Sequence, residues 1–244
     1  MAGFKYFVLL IIFLNINIFA SDQQSLPKYD SAAVYMKNSV YPLKIELFEI
    51  YKKIPADIVM LGDSRTDGVN WNELLGRPNI VSRGIPSDVT EGFLARMEYV
   101  YNLEPKYCIV QGGLNDIYNW TAVEKIYQNY VRIISGLRSK GIKPILQSVI
   151  YAGKIWGKDY LVRTNSKLKA EDVNKERNQE IEKLNRMLKS YAKRNNIIYI
   201  DLNADMSFRG FLKDELTHDG VHLNARGYKI WGRKIDEVLT ELGL

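Results

Sequence analysis

Ile58-Val59-Met60-Leu61-Gly62-Asp63-Ser64 is the stretch that decides how this chain is read. Four consecutive apolar residues closed by a glycine read as a strand buried on both faces, the mark of a parallel sheet. Ser64 then falls where the strand gives way to a loop or helix. In an α/β fold that carboxyl edge is where chemistry-bearing groups collect. Far along the chain, Asp219-Gly220-Val221-His222 sets a carboxylate and an imidazole three residues apart. A serine hydroxyl becomes a useful nucleophile when a base takes its proton, and that base needs a third group to fix its tautomer. Ser64, His222 and Asp219 are the residue types this arrangement requires.

Working outward, short apolar runs alternate with amphipathic stretches. Strands are predicted at 57–61, 80–82, 107–111, 145–149 and 197–201, and helices at 43–53, 89–102, 122–140, 172–195 and 225–242. Ile181, Leu184, Met187, Leu188 and Tyr191 recur at helical spacing. Gly141 is a helix stop, and Pro144 opens the next strand. Strand-then-helix order with right-handed crossovers predicts a three-layer α/β/α sandwich around a five-stranded, mostly parallel, flavodoxin-like sheet. Residues 43–244 read as one domain, preceded by an irregular segment over 21–42. No internal repeat, low-complexity tract or linker divides it. Residues 151–170 lack a clean period and leave two readings open: a substrate-facing loop or lid, and a disordered surface insertion.

The net charge of +6 is spread through the chain. Lys183, Lys189, Lys193 and Arg194 alternate with acids on a predicted helix, so a solvated helix face is expected rather than a nucleic-acid partner. The charge implies at most a weak attraction to membrane surfaces, and oligomeric state is not legible. With no zinc-knuckle, P-loop or dinucleotide fingerprint, no cofactor is expected. Cys108 is the single cysteine and lies in a predicted central strand, which predicts a buried, inert thiol. Lys5, an apolar run from Tyr6 to Leu14 and Ala20 before a polar stretch read as a signal peptide over 1–20. Export to the periplasm or exterior is therefore expected. An uncleaved anchoring helix is the alternative, weakened by Asn15 and Asn17.

Four segments fall after predicted strands, where a parallel sheet lets them converge: Gly62-Asp63-Ser64, Ser82-Arg83-Gly84-Ile85, Gly112-Gly113-Leu114-Asn115-Asp116 and Asp219-Gly220-Val221-His222. In this order and at these separations, they resemble the four blocks of the SGNH hydrolases, the GDSL esterase/lipase family. Leu61 to Gly68 with Trp71 after it, and Arg83-Gly84-Ile85 followed by Thr90-Glu91-Gly92, resemble the bacterial branch related to platelet-activating-factor acetylhydrolase and lysophospholipase-like esterases. The resemblance runs from about Asp57 to Gly227. It implies a metal-independent serine esterase with Ser64 as nucleophile, His222 as general base and Asp219 orienting it. It also implies an oxyanion hole of the Ser64 N–H, the Gly84 N–H and the Asn115 amide. The implied substrates are small-molecule or glycan esters with short acyl or O-acetyl groups. Lysophospholipid-like lipids and a non-catalytic carbohydrate-binding module are the alternatives.

Each residue taken singly has a plainer reading. Ser64 can cap a helix, Asp63 can accept backbone N–H bonds in the turn, Asn115 can sit in a turn beside Asp116, and Gly84 can permit a tight bend. Only the joint occurrence raises them to a site. His218 and His222 stand four residues apart, as metal ligands do, but the sequence offers no convincing third ligand. Arg65 replaces the leucine or isoleucine that gives the family its name, and Leu223 stands where proline is frequent, so the packing beside the nucleophile is not predicted. Trp71, Trp120 and Trp156 are expected in core or surface packing, with an acyl or sugar site as the alternative use.

Overall fold

In the computed structural model, which describes residues 33–157 and 168–244, β1 (Ile58–Gly62) lies between β2 (Ile80–Gly84) and β3 (Tyr107–Gln111). With β4 (Lys143–Gln147) and β5 (Ile198–Ile200) they make one sheet in the order β2-β1-β3-β4-β5, and every adjacent pair is parallel. This is the flavodoxin-like order expected from the sequence. The direction of winding reverses between β1 and β3, and the crevice beyond their carboxyl ends is the usual place for a ligand. Ser64 and Asn115 each follow one of those two strands.

Strand alternation divides the core. Val59, Leu61, Cys108, Val110 and Leu146 face one helical layer, while Ile58, Met60, Tyr107, Ile109 and Ile145 face the other. Both central strands are buried throughout, hence their unbroken apolar runs. The predicted leader over 1–20 and residues 158–167 of the uncertain loop lie outside the described residues. No described helix is long and apolar enough to cross a membrane.

The helices follow in chain order: α1 (Val40–Ile50), α2 (Ser64–Asp67), α3 (Trp71–Leu75), α4 (Thr90–Ala95), α5 (Glu98–Tyr101), α6 (Leu114–Tyr118) and α7 (Val123–Ser139). Beyond them come α8 (Ala170–Arg194), α9 (Asn203–Met206), a hairpin of β6 (Ser207–Phe208) and β7 (Phe211–Leu212), and α10 (Ala225–Glu241). Two boundaries differ from expectation for clear reasons. The first helix starts at Val40 rather than 43, because Pro42 sits in its first turn, where a missing N–H costs nothing. The single helix expected over 89–102 is two, parted at Arg96, whose backbone leaves the helical region at φ −119° and ψ 21°.

α10 packs across the sheet opposite α7 and α8 through Trp231, which is fully buried. Its ring meets Trp71 of α3 edge-on at 5.0 Å, stacks near Tyr228 at 6.1 Å and donates from Nε1 to Gln147 Oε1 at 3.2 Å. Trp231→Ala empties this space and is expected to cost about 3–5 kcal/mol in urea unfolding. A loss below 1 kcal/mol would show that the α10 face is not a rigid part of the core.

Candidate active site

Ser64 is the first residue of α2, directly beyond the end of β1. Asp63 is the N-cap: its Oδ1 accepts from the Arg65 backbone N–H at 3.0 Å, which fixes the turn that presents Ser64. That turn is tight. At Gly84, the last residue of β2, an added Cβ would lie 2.4 Å from the Asp67 backbone nitrogen, so α2 can seat there only against glycine.

The Asp219–His222 loop meets Ser64 from the other side. His222 Nε2 lies 3.1 Å from Ser64 Oγ, and His222 Nδ1 lies 2.6 Å from Asp219 Oδ2. Asp219 Oδ1 accepts from the backbone N–H groups of Val221 and His222 at 2.9 and 2.7 Å. Burial pushes the Asp219 carboxyl up, but the hydrogen bonds from the His222 ring and from these two N–H groups outweigh it and hold the pKa well below the usual carboxylate range. Asp219 is therefore charged throughout the range in which imidazole titrates. Thr217, which the sequence did not single out, shapes the loop from below. Its hydroxyl donates to the His222 carbonyl at 2.6 Å and accepts from the Gly220 N–H at 2.9 Å. Leu223, buried in place of a proline, forms an antiparallel bridge with Thr217 that closes the loop.

The residues expected as oxyanion donors lie at the end of β2 (Gly84) and in α6 beyond β3 (Asn115). One N–H of the Asn115 amide donates to the Asp88 carbonyl at 2.9 Å, which orients the group and leaves its second N–H for a ligand. The Gly84 N–H makes a long 3.3 Å contact with Ser82 Oγ. A buried arginine, Arg96, organises this region. It donates from Nη1 to the Arg83 carbonyl at 2.7 Å, from Nη2 to the Gly62 carbonyl at 2.9 Å and from Nε to Asp88 Oδ2 at 2.8 Å. The Arg83 carbonyl and the Gly84 N–H share one peptide plane, so holding the first aims the second. Nothing in the spacing marked Arg96 or Asp88, because both belonged to an ordinary-looking loop and helix.

The remaining candidates fall elsewhere. Trp71 is core. Trp120 is exposed and carries the Arg177 guanidinium on its face, and the Trp156 Nε1 donates to the Leu168 carbonyl. Burial pushes the Cys108 thiol up, in keeping with an inert side chain. Residues 151–157 strap the loop, with the Gly153 N–H on the Gly220 carbonyl and the Ile155 carbonyl where a Cβ on Gly220 (φ +83°) would fall. The third ligand that the sequence did not offer His218 and His222 is Asp219 itself. Donor atoms of the three lie within 4.8 Å of one another, yet Asp219 Oδ2 is already engaged with His222 Nδ1.

Asp116, next to Asn115, accepts from the Thr90 N–H and hydroxyl, joining α6 to the start of α4. Burial raises its carboxyl to about 6 against the pull of those bonds. A carboxyl raised in the folded state contributes fully below the unfolded value near 4, and its contribution is lost as pH rises through about 6. The stability of wild type minus Asp116→Asn should therefore fall between pH 4 and 6 and stay flat above 7 in urea titrations. A difference independent of pH would contradict the raised carboxyl.

The sequence model of the GDSL-like lipase/acylhydrolase family matches residues 60–230, and the chain belongs to that family. Solved structures share its fold. A GDSL-like lipase from Bacteroides thetaiotaomicron superposes with a TM-score of 0.68 at 23% identity, covering 83% of this chain and 98% of that one. A candidate acylhydrolase from Bacteroides fragilis gives 0.65 at 25% identity, covering 81% and 94%. In sequence, an N-acylneuraminate cytidylyltransferase of Streptococcus agalactiae is 28% identical over 203 residues, 76% of this chain. The chain spans only 40% of that relative's length.

Proposed function

We propose that this protein cleaves short-acyl or O-acetyl esters through an acyl-serine intermediate on Ser64. The observation that carries this reading is the unbroken chain from Ser64 Oγ through His222 to Asp219, at 3.1 and 2.6 Å. His222 Nε2 takes the hydroxyl proton as Oγ attacks the ester carbon, and the carbonyl oxygen becomes an oxyanion. The Ser64 N–H, the Gly84 N–H and the free Asn115 N–H surround that oxygen and lower the barrier. Collapse expels the alcohol, which takes its proton from His222. Water then repeats the sequence on the acyl-enzyme, with Asp219 holding the imidazole tautomer throughout.

The alcohol part of the substrate is an acidic carbohydrate. A groove of about 500 Å³ runs between α8 and the β6–β7 hairpin, lined by Tyr151, Phe211 and three cations, Lys175, Arg186 and Arg209. Glu182, the one acid among its described lining residues, is engaged by the Tyr151 hydroxyl. The strap that begins at Tyr151 borders the groove at one end and reaches the Gly220 carbonyl at the other, which joins the groove to the loop that carries His222. The name of the Streptococcus agalactiae relative specifies an N-acylneuraminate, an acidic sugar. The reaction takes place outside the cytoplasm, on the reading of residues 1–20 as a cleaved leader, which puts Ser21 at the mature amino terminus.

The test is hydrolysis of p-nitrophenyl esters from acetate to laurate, beside an O-acetylated acidic polysaccharide at low and high salt. Serine-dependent cleavage that falls with chain length, survives a chelator, and weakens with salt on the polysaccharide alone is expected. A medium-chain optimum would move the substrate to lipids. Salt-independent cleavage of the polysaccharide would remove the groove from recognition.

A further inference from the structure

Arg65 directly follows Ser64, yet its guanidinium is turned away from solvent: the residue is 1% exposed. All three nitrogens donate to main-chain carbonyls, Nε to Val221 at 2.8 Å, Nη1 to Ile150 at 2.7 Å and Nη2 to Tyr151 at 3.3 Å. Burial disfavours the charge, and Asp63 beside it is the main compensating group, with Asp219 contributing. An aliphatic side chain would fill the same space without that cost, so stability alone does not explain an arginine here. What the guanidinium adds is a fixed, planar fork of donors reaching three carbonyls from two separate segments.

The identity of those carbonyls gives the fork its meaning. Val221 immediately precedes His222, as Arg65 immediately follows Ser64. The hydrogen bond from Nε to the Val221 carbonyl therefore runs beside the contact between Ser64 Oγ and His222 Nε2 and joins the two adjacent pairs of residues. The Ile150 and Tyr151 carbonyls lead into the strap whose Gly153 N–H holds Gly220 in the same loop. The Asp219–His222 loop is stiff within itself through Asp219 Oδ1 and Thr217, but these bonds do not set its distance from the nucleophile. The guanidinium bridges that gap directly, beside the Tyr228 hydroxyl on the Arg65 carbonyl and the packing of Val221 and Leu223 in the core.

We propose that Arg65 is a positioning residue that sets the His222 imidazole at proton-transfer distance from the Ser64 hydroxyl. A displacement of about 1 Å between reacting groups can cost on the order of 10²-fold in rate, so a clamp between neighbours of both has a large lever. Arg65 touches neither substrate nor the reacting atoms. Its effect is on kcat, with binding of a small neutral ester left alone.

The proposal rests on the roles given to Ser64 and His222 above, and the experiment separates the two. Arg65→Leu, Arg65→Gln and Arg65→Lys are assayed on p-nitrophenyl acetate beside wild type and Ser64→Ala. Rates are expressed per serine titrated with an uncharged phosphonate ester, so that unfolded protein drops out of the comparison. Expected are a kcat lowered on the order of 10²-fold in Arg65→Leu and a KM within about twofold of wild type. Phosphonylation of Ser64 should slow in parallel. Arg65→Lys, which keeps the cation and one donor, should recover part of the rate. If Arg65→Leu does not fold, Arg65→Lys and Arg65→Gln carry the same reading. A wild-type kcat per titrated serine, or a kcat loss matched by a rise in KM, overturns the proposal while an inactive Ser64→Ala leaves the ester mechanism standing. An active Ser64→Ala would remove the mechanism itself.

Discussion

Ser64→Ala is expected to hydrolyse p-nitrophenyl acetate at least about 10⁴-fold more slowly than wild type, with a thermal midpoint shifted by no more than about 2 °C. Both halves follow from its position. Ser64 is half-buried, and among the described residues the hydroxyl's side-chain hydrogen bond is to His222 Nε2, a part-exposed ring, so removing it leaves no unpaired group in the core. The turn itself is held by the Asp63 carboxylate on the Arg65 N–H, which alanine keeps. Rate and stability therefore separate, and a steady-state assay with a melting curve on the same preparation reads both. Substantial surviving activity would take the nucleophile's role away from Ser64.

Asp219→Asn is expected to lower kcat by about 10⁴-fold with little effect on KM. Asp219 divides its two oxygens between tasks. Oδ1 accepts the Val221 and His222 N–H groups, and Oδ2 accepts from His222 Nδ1. An asparagine keeps the first task by placing its carbonyl on the two N–H groups, so the loop survives. Its NH₂ then faces Nδ1 and favours the tautomer with hydrogen on Nε2, which cannot take a proton from Ser64. A variant retaining a tenth or more of the wild-type kcat would show that Asp219 does not set the tautomer.

Much of this was legible before any coordinates. Ile58 to Leu61 read as a buried strand because both faces of β1 are covered, and Ser64 lies just beyond its end, as expected. Ser64, His222 and Asp219 do come together, because they sit at the carboxyl ends or in loops of a fold that brings such ends to one edge. Arg65 was not legible. A charged residue in a turn reads as exposed, and its burial is decided by carbonyls at 150, 151 and 221 that no local pattern connects. Arg96 escaped for the same reason. Periodicity runs smoothly through 89–102, but the side chain at 96 is held by Gly62, Arg83 and Asp88, and at that residue the helix ends. The β6–β7 hairpin has two residues per strand, too few for alternation to register.

The partners Ser64 and His222 are 158 positions apart in the chain. At a synthesis rate of roughly 5–20 residues per second, the first waits about 8–30 s on the ribosome before the second is even made. During that interval the nucleophile can sit at the tip of a finished strand without a base to activate it. A chain terminated before His222 therefore lacks the base proposed for Ser64, however well its first strands have formed.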